Sequence, residues 1–164
     1  SSGIIYEFRN IKVIVWTTFI GGILLHIADR RKIFKNLENN FNFKSALIIG
    51  FFQVMALIPG VSRAGITITA GRILGFDRTD STKISFYLSI PALAGASALG
   101  IKDLLNENIE FNFIALIGIL LSFIFSLITI KYFLKFIKKF SFKTFVLYRI
   151  ILSLILLYII YFYF

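Results

Sequence analysis

The sequence predicts an all-α polytopic membrane protein with about four transmembrane helices and one re-entrant helix-turn-helix hairpin. Hydrophobic residues make up 58% of the 164 residues, and the mean hydropathy is +0.86. This is more apolar than a soluble domain of this size could bury. Basic residues are concentrated in a few groups between apolar runs, as is typical of the cytoplasmic loops of membrane proteins. We therefore treat residues 1–164 as a single membrane domain.

Four apolar runs have the length of roughly 20 residues that crosses a bilayer. They cover residues 11–28, 84–101, 111–132 and 144–164. The chain contains no cysteine, which excludes disulfides and thiolate metal sites.

A fifth apolar run, residues 45–75, is too long for a single crossing and is interrupted by Pro59 and Gly60. Proline removes a backbone donor and clashes with the preceding helical turn. We expect one helix to stop near Ile58 and a second short helix to start near Ser62. Two half-length helices joined by a tight turn would make a re-entrant hairpin over about residues 45–75.

The distribution of charge predicts an orientation in the membrane. The net charge is +10, and the loop 102–110 has one basic and three acidic residues. The positive-inside rule places the basic groups in the cytoplasm and this loop outside, so both ends of the hairpin lie on the cytoplasmic side and both chain termini outside. The basic groups are Arg30, Arg31, Lys32, Lys35 and Lys44; Arg72, Arg78 and Lys83; and Lys131, Lys135, Lys138, Lys139 and Lys143.

An arginine at the turn of this hairpin predicts an anion site. Arg63 near the bilayer centre would cost about 3 kcal/mol, so it should face protein or a water-filled cavity and hold a partner. Ser62 would cap the second helix, whose first N–H groups are unpaired, and Gly60 and Gly65 would let the backbone approach a ligand closely. Helix N-terminus, hydroxyl and guanidinium together suit a phosphate. The structural alternative is that Arg63 only pairs with a carbonyl or carboxylate inside the hairpin.

Three stretches of the sequence carry a resemblance to known proteins: "IGFFQVMALIPGVSRAGITITAGRILGFDR" (49–78), "ISFYLSIPALAGA" (84–96) and "YRI" (148–150). In this order they resemble the undecaprenyl-diphosphatase family, the membrane phosphatases linked to bacitracin resistance. The resemblance runs through essentially the whole chain.

The resemblance implies hydrolysis of undecaprenyl diphosphate to undecaprenyl phosphate and phosphate, which recycles the lipid carrier of cell-wall precursors in the bacterial cytoplasmic membrane. It implies a fold of two inverted repeats, each with a re-entrant hairpin. By this resemblance Arg63 and Ser62 are catalytic, and the substrate is bound by Gly60, Ser62, Arg63, Gly65 and Gln53. Ala64 stands where the family has a second serine.

The family's other half carries a glutamate-rich motif and a Pro-x-Ser-Ser-x-Gly-His motif, and neither occurs in this chain. We therefore expect the chain to correspond to the C-terminal repeat of a longer phosphatase. The resemblance implies a divalent cation, Mg or Ca, whose ligands lie outside this chain. An N-terminal half or a second copy in a homodimer is the expected protein partner.

Two other functions stay open: half of a lipid or anion transporter with a mid-membrane anion site, or a truncated, non-catalytic remnant. If sequence upstream of this chain contained the glutamate-rich motif and the Pro-x-Ser-Ser-x-Gly-His motif, it would favour the phosphatase.

His26 is expected to act as an interfacial anchor, and a local ion pair accounts for Asp77 and Arg78. The lysines of residues 131–143 alternate with phenylalanines, which favours contact with anionic lipid headgroups over nucleic-acid binding.

Overall fold

The computed structural model describes residues 11–106 and 113–163, and within these ranges it contains helices but no strand. A single isolated bridge joins Lys35 to Phe76. The all-α prediction is confirmed. The helices are α1 (Ile11–Asp29), α2 (Leu37–Asn40), α3 (Phe43–Val54), α4 (Arg63–Ile73), α5 (Arg78–Asn106), α6 (Phe113–Lys139) and α7 (Lys143–Tyr163), with a 3₁₀ turn at Met55–Leu57.

Four of the described helices, α1, α5, α6 and α7, are long and apolar enough to cross a membrane, which confirms a polytopic membrane protein. α5 starts at Arg78, six residues before the apolar run 84–101. It starts there because the Asp77 side chain caps it, accepting a hydrogen bond from Asp80 N at 2.6 Å. α6 continues to Lys139, since lysine is a good helix former and can extend its ammonium group toward water. The orientation of these helices in the membrane stays a prediction.

Between α1 and α5, the apolar run is divided into two short helices. α3 has 12 residues and α4 has 11, so they are about 18 and 17 Å long, well below the roughly 30 Å of a bilayer core. Asn42 caps α3 and Ser62 caps α4, each by accepting a hydrogen bond from a backbone N–H three residues later. Pro59 and Gly60 lie in the turn between them.

The chain divides into two compact units, Phe86–Phe140 and the residues on either side of it, Ser1–Ser85 with Ser141–Phe164. In the unit formed by the flanking residues, α1 packs against α4 and α7, and α3 packs against α4. Gly22 allows α1 and α7 to approach closely, because a Cβ there would lie 3.4 Å from the Cβ of Arg149. In the other unit, Phe86 on α5 contacts Phe133 on α6, with ring centroids 6.1 Å apart.

A buried ionic network joins the end of α1 to the region between α4 and α5. Arg72 is 2% exposed and donates to the carbonyl oxygens of Phe76, Asp29 and Arg31 at 2.6, 2.9 and 3.0 Å. Asp29 is the last residue of α1, where helix carbonyls lack intrahelical partners, and Arg31 follows two residues later. Arg78 donates to both carboxylate oxygens of Asp29, at 2.6 and 3.1 Å.

This network corrects the expectation of a local ion pair between Asp77 and Arg78. Arg78 pairs instead with Asp29, 49 residues away, while Asp77 caps α5. Capping directs the Asp77 carboxylate toward the backbone N–H groups of α5, which leaves Arg78 free to reach the end of α1. The long-range pair therefore fixes where α1 ends relative to α4 and α5.

Replacing Asp29 with asparagine should lower the free energy of unfolding by about 2 kcal/mol, because Arg78 and buried Arg72 lose their carboxylate. Denaturant unfolding in detergent, followed by the fluorescence of Trp16, the only tryptophan, measures the change. Asp103→Asn, at an exposed carboxylate on α5, is the matched control and should have little effect. Equal stability of the two variants would contradict the structural role of Asp29.

Carbonyl groups of the turn between α3 and α4 are bound by side chains of α1. Thr17 Oγ1 lies 2.6 Å from the Pro59 carbonyl oxygen, and Thr18 Oγ1 donates to the Gly60 carbonyl oxygen at 3.2 Å. Gly60 has φ +87°, a left-handed conformation that favours glycine. A Cβ at Gly60 would also fall against Thr17 Oγ1 and the Ile14 carbonyl. The turn is therefore pressed directly onto α1.

Gly60→Ala should lower the free energy of unfolding by about 2–4 kcal/mol, from backbone strain plus the clash with α1. Gly50→Ala on α3 is the matched control, because nothing lies within 4 Å of a Cβ there and alanine is the better helix former. Trp16 fluorescence during denaturant unfolding reports both variants. A Gly60→Ala protein as stable as Gly50→Ala would show that α1 does not hold the turn.

Candidate functional site

Backbone N–H groups converge at the start of α4. Ser62 Oγ accepts a hydrogen bond from Gly65 N at 3.1 Å, which confirms the capping role expected of Ser62. Within the described chain, the backbone N–H groups of Ser62, Arg63 and Ala64 donate to no protein acceptor. The Ser62 side chain is exposed, and its hydroxyl proton can still be donated while the oxygen accepts the capping bond. This helix N-terminus thus offers four donors to an anion.

Arg63 is the first residue of α4 and is partly exposed. Across residues 11–106 and 113–163, its guanidinium forms no hydrogen bond and no ion pair. The structural alternative, in which Arg63 pairs with a carbonyl or carboxylate of the hairpin, finds no such partner in those ranges. The guanidinium keeps its donors for a ligand and stands beside the free N–H groups of the helix N-terminus.

The two glycines predicted to admit a ligand also have packing roles. Gly60 faces α1, as described above. A Cβ at Gly65 would lie 2.8 Å from Nη1 of Arg149 and 3.2 Å from Ser62 Oγ. The absent side chain of Gly65 therefore makes room for a second guanidinium at the start of α4.

Gln53 lies near the end of α3, two residues before the 3₁₀ segment. Its Oε1 is fully buried and has no hydrogen-bond partner in the described chain. No hydrogen bond in that part of the protein joins the Gln53 side chain to Ser62 or Arg63. The structure therefore groups Gly60, Ser62, Arg63 and Gly65 at the turn and leaves Gln53 on the neighbouring helix with an unsatisfied amide oxygen.

Arg149 on α7 belongs to the same cluster, although the sequence analysis gave it no role. It is 9% exposed, and it donates from Nε to the Thr18 carbonyl at 3.3 Å and from Nη2 to the Gly60 carbonyl at 3.0 Å. The available signal was an arginine inside the apolar run 144–164, because an ionisable residue within a membrane segment usually marks function. Its position at the turn could not be read from sequence, since Arg149 is 89 residues away from Gly60.

The cluster is positively charged and has no acidic side chain bound to it. The ion pairs of the described residues involve neither Arg63 nor Arg149, and Asp29 and Asp80 are engaged elsewhere. No group of three histidine or acidic residues that could hold a metal ion occurs in residues 11–106 and 113–163. These residues fit an anion and do not fit a divalent cation site.

Other candidates from the sequence lie away from the turn. His26 is on α1, eight residues beyond Thr18 and so about 12 Å further along the helix axis. It is partly exposed, and its role as an interfacial anchor stays a prediction. The lysines of residues 131–143 lie at the end of α6 and the start of α7.

The profile of the family described as "Bacitracin resistance protein BacA" matches residues 2–155. The undecaprenyl-diphosphatase of Pelagibacter ubique (strain HTCC1062) is 57% identical over 153 residues, which cover 93% of this chain and 60% of that protein. The undecaprenyl-diphosphatase of Elusimicrobium minutum (strain Pei191) is 43% identical over 161 residues, 94% of this chain and 61% of that protein.

A third undecaprenyl-diphosphatase, from Marinobacter nauticus (strain ATCC 700491 / DSM 11845 / VT8), is 40% identical over 148 residues, 90% of this chain and 56% of that protein. The chain thus spans about 60% of the length of the curated relatives it matches. Because the family profile extends over nearly all of its residues, this chain belongs to the bacitracin resistance protein BacA family.

Proposed function

We propose that this chain supplies the diphosphate-binding part of an undecaprenyl-diphosphatase, which hydrolyses undecaprenyl diphosphate to undecaprenyl phosphate and phosphate. The observation that carries the proposal is the start of α4, where a guanidinium, a hydroxyl and free backbone N–H groups meet without an acidic partner in the described chain. Relatives at 43–57% identity are named for this activity. A transporter half would need a site that binds without cleaving, and no observation favours that alternative.

The helical elements support a site within the membrane. α3 and α4 are too short to cross a bilayer, so a re-entrant hairpin over about residues 45–75 is the proposed arrangement, with its turn near mid-membrane. A lipid diphosphate would place its polyprenyl tail among the apolar helices and its charged group at the turn. We propose the bacterial cytoplasmic membrane as the location.

Hydrolysis of a diphosphate depends mainly on positioning and on stabilising negative charge. Arg63 would contact the diphosphate with paired N–H donors, and Ser62 would donate its hydroxyl proton to a phosphate oxygen. The N–H groups at residues 62–64 would bind a further oxygen at the positive end of the α4 dipole. These contacts strengthen as charge moves onto the departing phosphate oxygens in the transition state.

The described residues contain no group of three histidine or acidic side chains that could hold a metal ion. The divalent cation that the family resemblance implies, Mg or Ca, would be bound by carboxylates supplied outside this chain, from an N-terminal half or a second copy. Nucleic acid is not a proposed partner.

Replacing Arg63 with alanine should lower phosphate release from undecaprenyl diphosphate by at least about 100-fold, because a charged contact to the transition state is lost. The assay uses purified protein in detergent with magnesium or calcium. Two forms are compared: this chain alone, and this chain joined to the N-terminal part of a full-length relative. Phosphate release by the chain alone would indicate a complete site, for example in a homodimer. Release only after joining would indicate that the other part supplies essential groups.

Arg30→Ala is the matched control for this assay. Arg30 is an exposed arginine after α1, and its loss should leave turnover within about twofold of the original protein. Normal turnover by a folded, membrane-inserted Arg63→Ala protein would refute the assignment of the site. Hydrolysis that requires neither arginine would place the reaction elsewhere in the protein.

A further inference from the structure

We infer that Arg149 is a second anion-binding arginine of the site, directly contacting the same phosphorylated group as Arg63. This inference rests on the proposed function and adds a ligand-binding residue from α7 to it. It assigns a role to a buried charge that hydrogen bonding within the protein does not neutralise.

Burial makes the position of Arg149 costly unless the charge is used. The residue is 9% exposed on a helix that is long and apolar enough to cross a membrane. Its two hydrogen-bond acceptors are carbonyl oxygens, which stabilise a guanidinium but leave its net charge in place. In residues 11–106 and 113–163 no carboxylate forms an ion pair with it. Buried charges are ordinarily paired, so this arrangement calls for an anion from elsewhere.

The hydrogen bonds of Arg149 determine which nitrogen can meet that anion. Nε is held by the Thr18 carbonyl and Nη2 by the Gly60 carbonyl, whereas Nη1 donates to no acceptor in the described chain. Nη1 lies next to Gly65. A Cβ added at Gly65 would be 2.8 Å from Nη1 and 3.2 Å from Ser62 Oγ. The free nitrogen is therefore adjacent to the hydroxyl and N–H groups at the start of α4.

The charge of the proposed ligand matches two arginines. A diphosphate monoester carries two or three negative charges near neutral pH, and each phosphate group can accept bonds from a guanidinium. Arg63 is the first residue of α4, and the guanidinium of Arg149 lies next to Gly65, two residues later. Both guanidinium groups are therefore carried to the N-terminal end of α4. One arginine bound through fixed carbonyl contacts and one with a free side chain would give the site both a rigid and an adjustable donor.

Binding of inorganic diphosphate to this chain in detergent, measured by isothermal titration calorimetry at several salt concentrations, tests the inference. Arg149→Gln and Arg63→Gln should each weaken the affinity about tenfold or more. Each should also make the affinity less dependent on salt, because one cationic contact is removed. Arg30→Gln, which removes a distant exposed charge, should change neither the affinity nor its salt dependence.

The outcomes separate this inference from the proposed function. If Arg63→Gln loses affinity while Arg149→Gln binds as the original chain does, the inference is wrong and the proposed site stands. If Arg149→Gln weakens binding with an unchanged salt dependence, Arg149 only positions the turn, and direct contact is refuted. If the original chain binds no diphosphate, both proposals fail.

Should Arg149→Gln not fold, as judged by Trp16 fluorescence, Gly65→Ala replaces it in the same experiment. That variant retains every charge and displaces Nη1 by steric contact, so it should weaken diphosphate binding, whereas Gly50→Ala on α3 should not. Equal affinities for the two alanine variants would overturn the inference.

Discussion

The proposed anion site depends on how two carbonyl oxygens of one turn are held. Pro59 and Gly60 direct their carbonyls toward α1 and α7, where Thr17, Thr18 and Arg149 bind them. A peptide group has opposite donor and acceptor ends, so fixing the carbonyls on one side helps direct the following N–H groups to the other. The start of α4 thereby presents donors instead of acceptors. The short helices α3 and α4 position this turn, but contacts from the long helices orient it.

Much of this arrangement could be predicted because it is local. The apolar runs gave the four long helices, and a proline followed by glycine interrupted the fifth run where the 3₁₀ segment and the turn occur. Ser62 as an N-cap follows from residue type and position alone. Each of these features is decided by residues within a few positions of one another, where backbone sterics and capping act.

The features that sequence reasoning missed are those between distant segments. Asp77 and Arg78 are adjacent and of opposite charge, yet capping engages the first and Asp29 binds the second. Arg149 stands in an apolar run, and only the packing of α7 on α1 brings its guanidinium to Gly60. α5 starts before its apolar run and α6 ends after its own, because capping and lysine side chains extend a helix beyond its apolar part.

The guanidinium of Arg149 occupies space that two glycines leave open, since a Cβ at Gly21 would lie 2.9 Å from Nη2 and one at Gly65 2.8 Å from Nη1. Three positions on three helices therefore share one volume. A larger residue at either glycine would therefore require the end of the Arg149 side chain to move, which would withdraw its hydrogen bond from the Gly60 carbonyl or its free nitrogen from the start of α4. The small residues on α1 and α4 thus hold the guanidinium in place by leaving it one position to occupy.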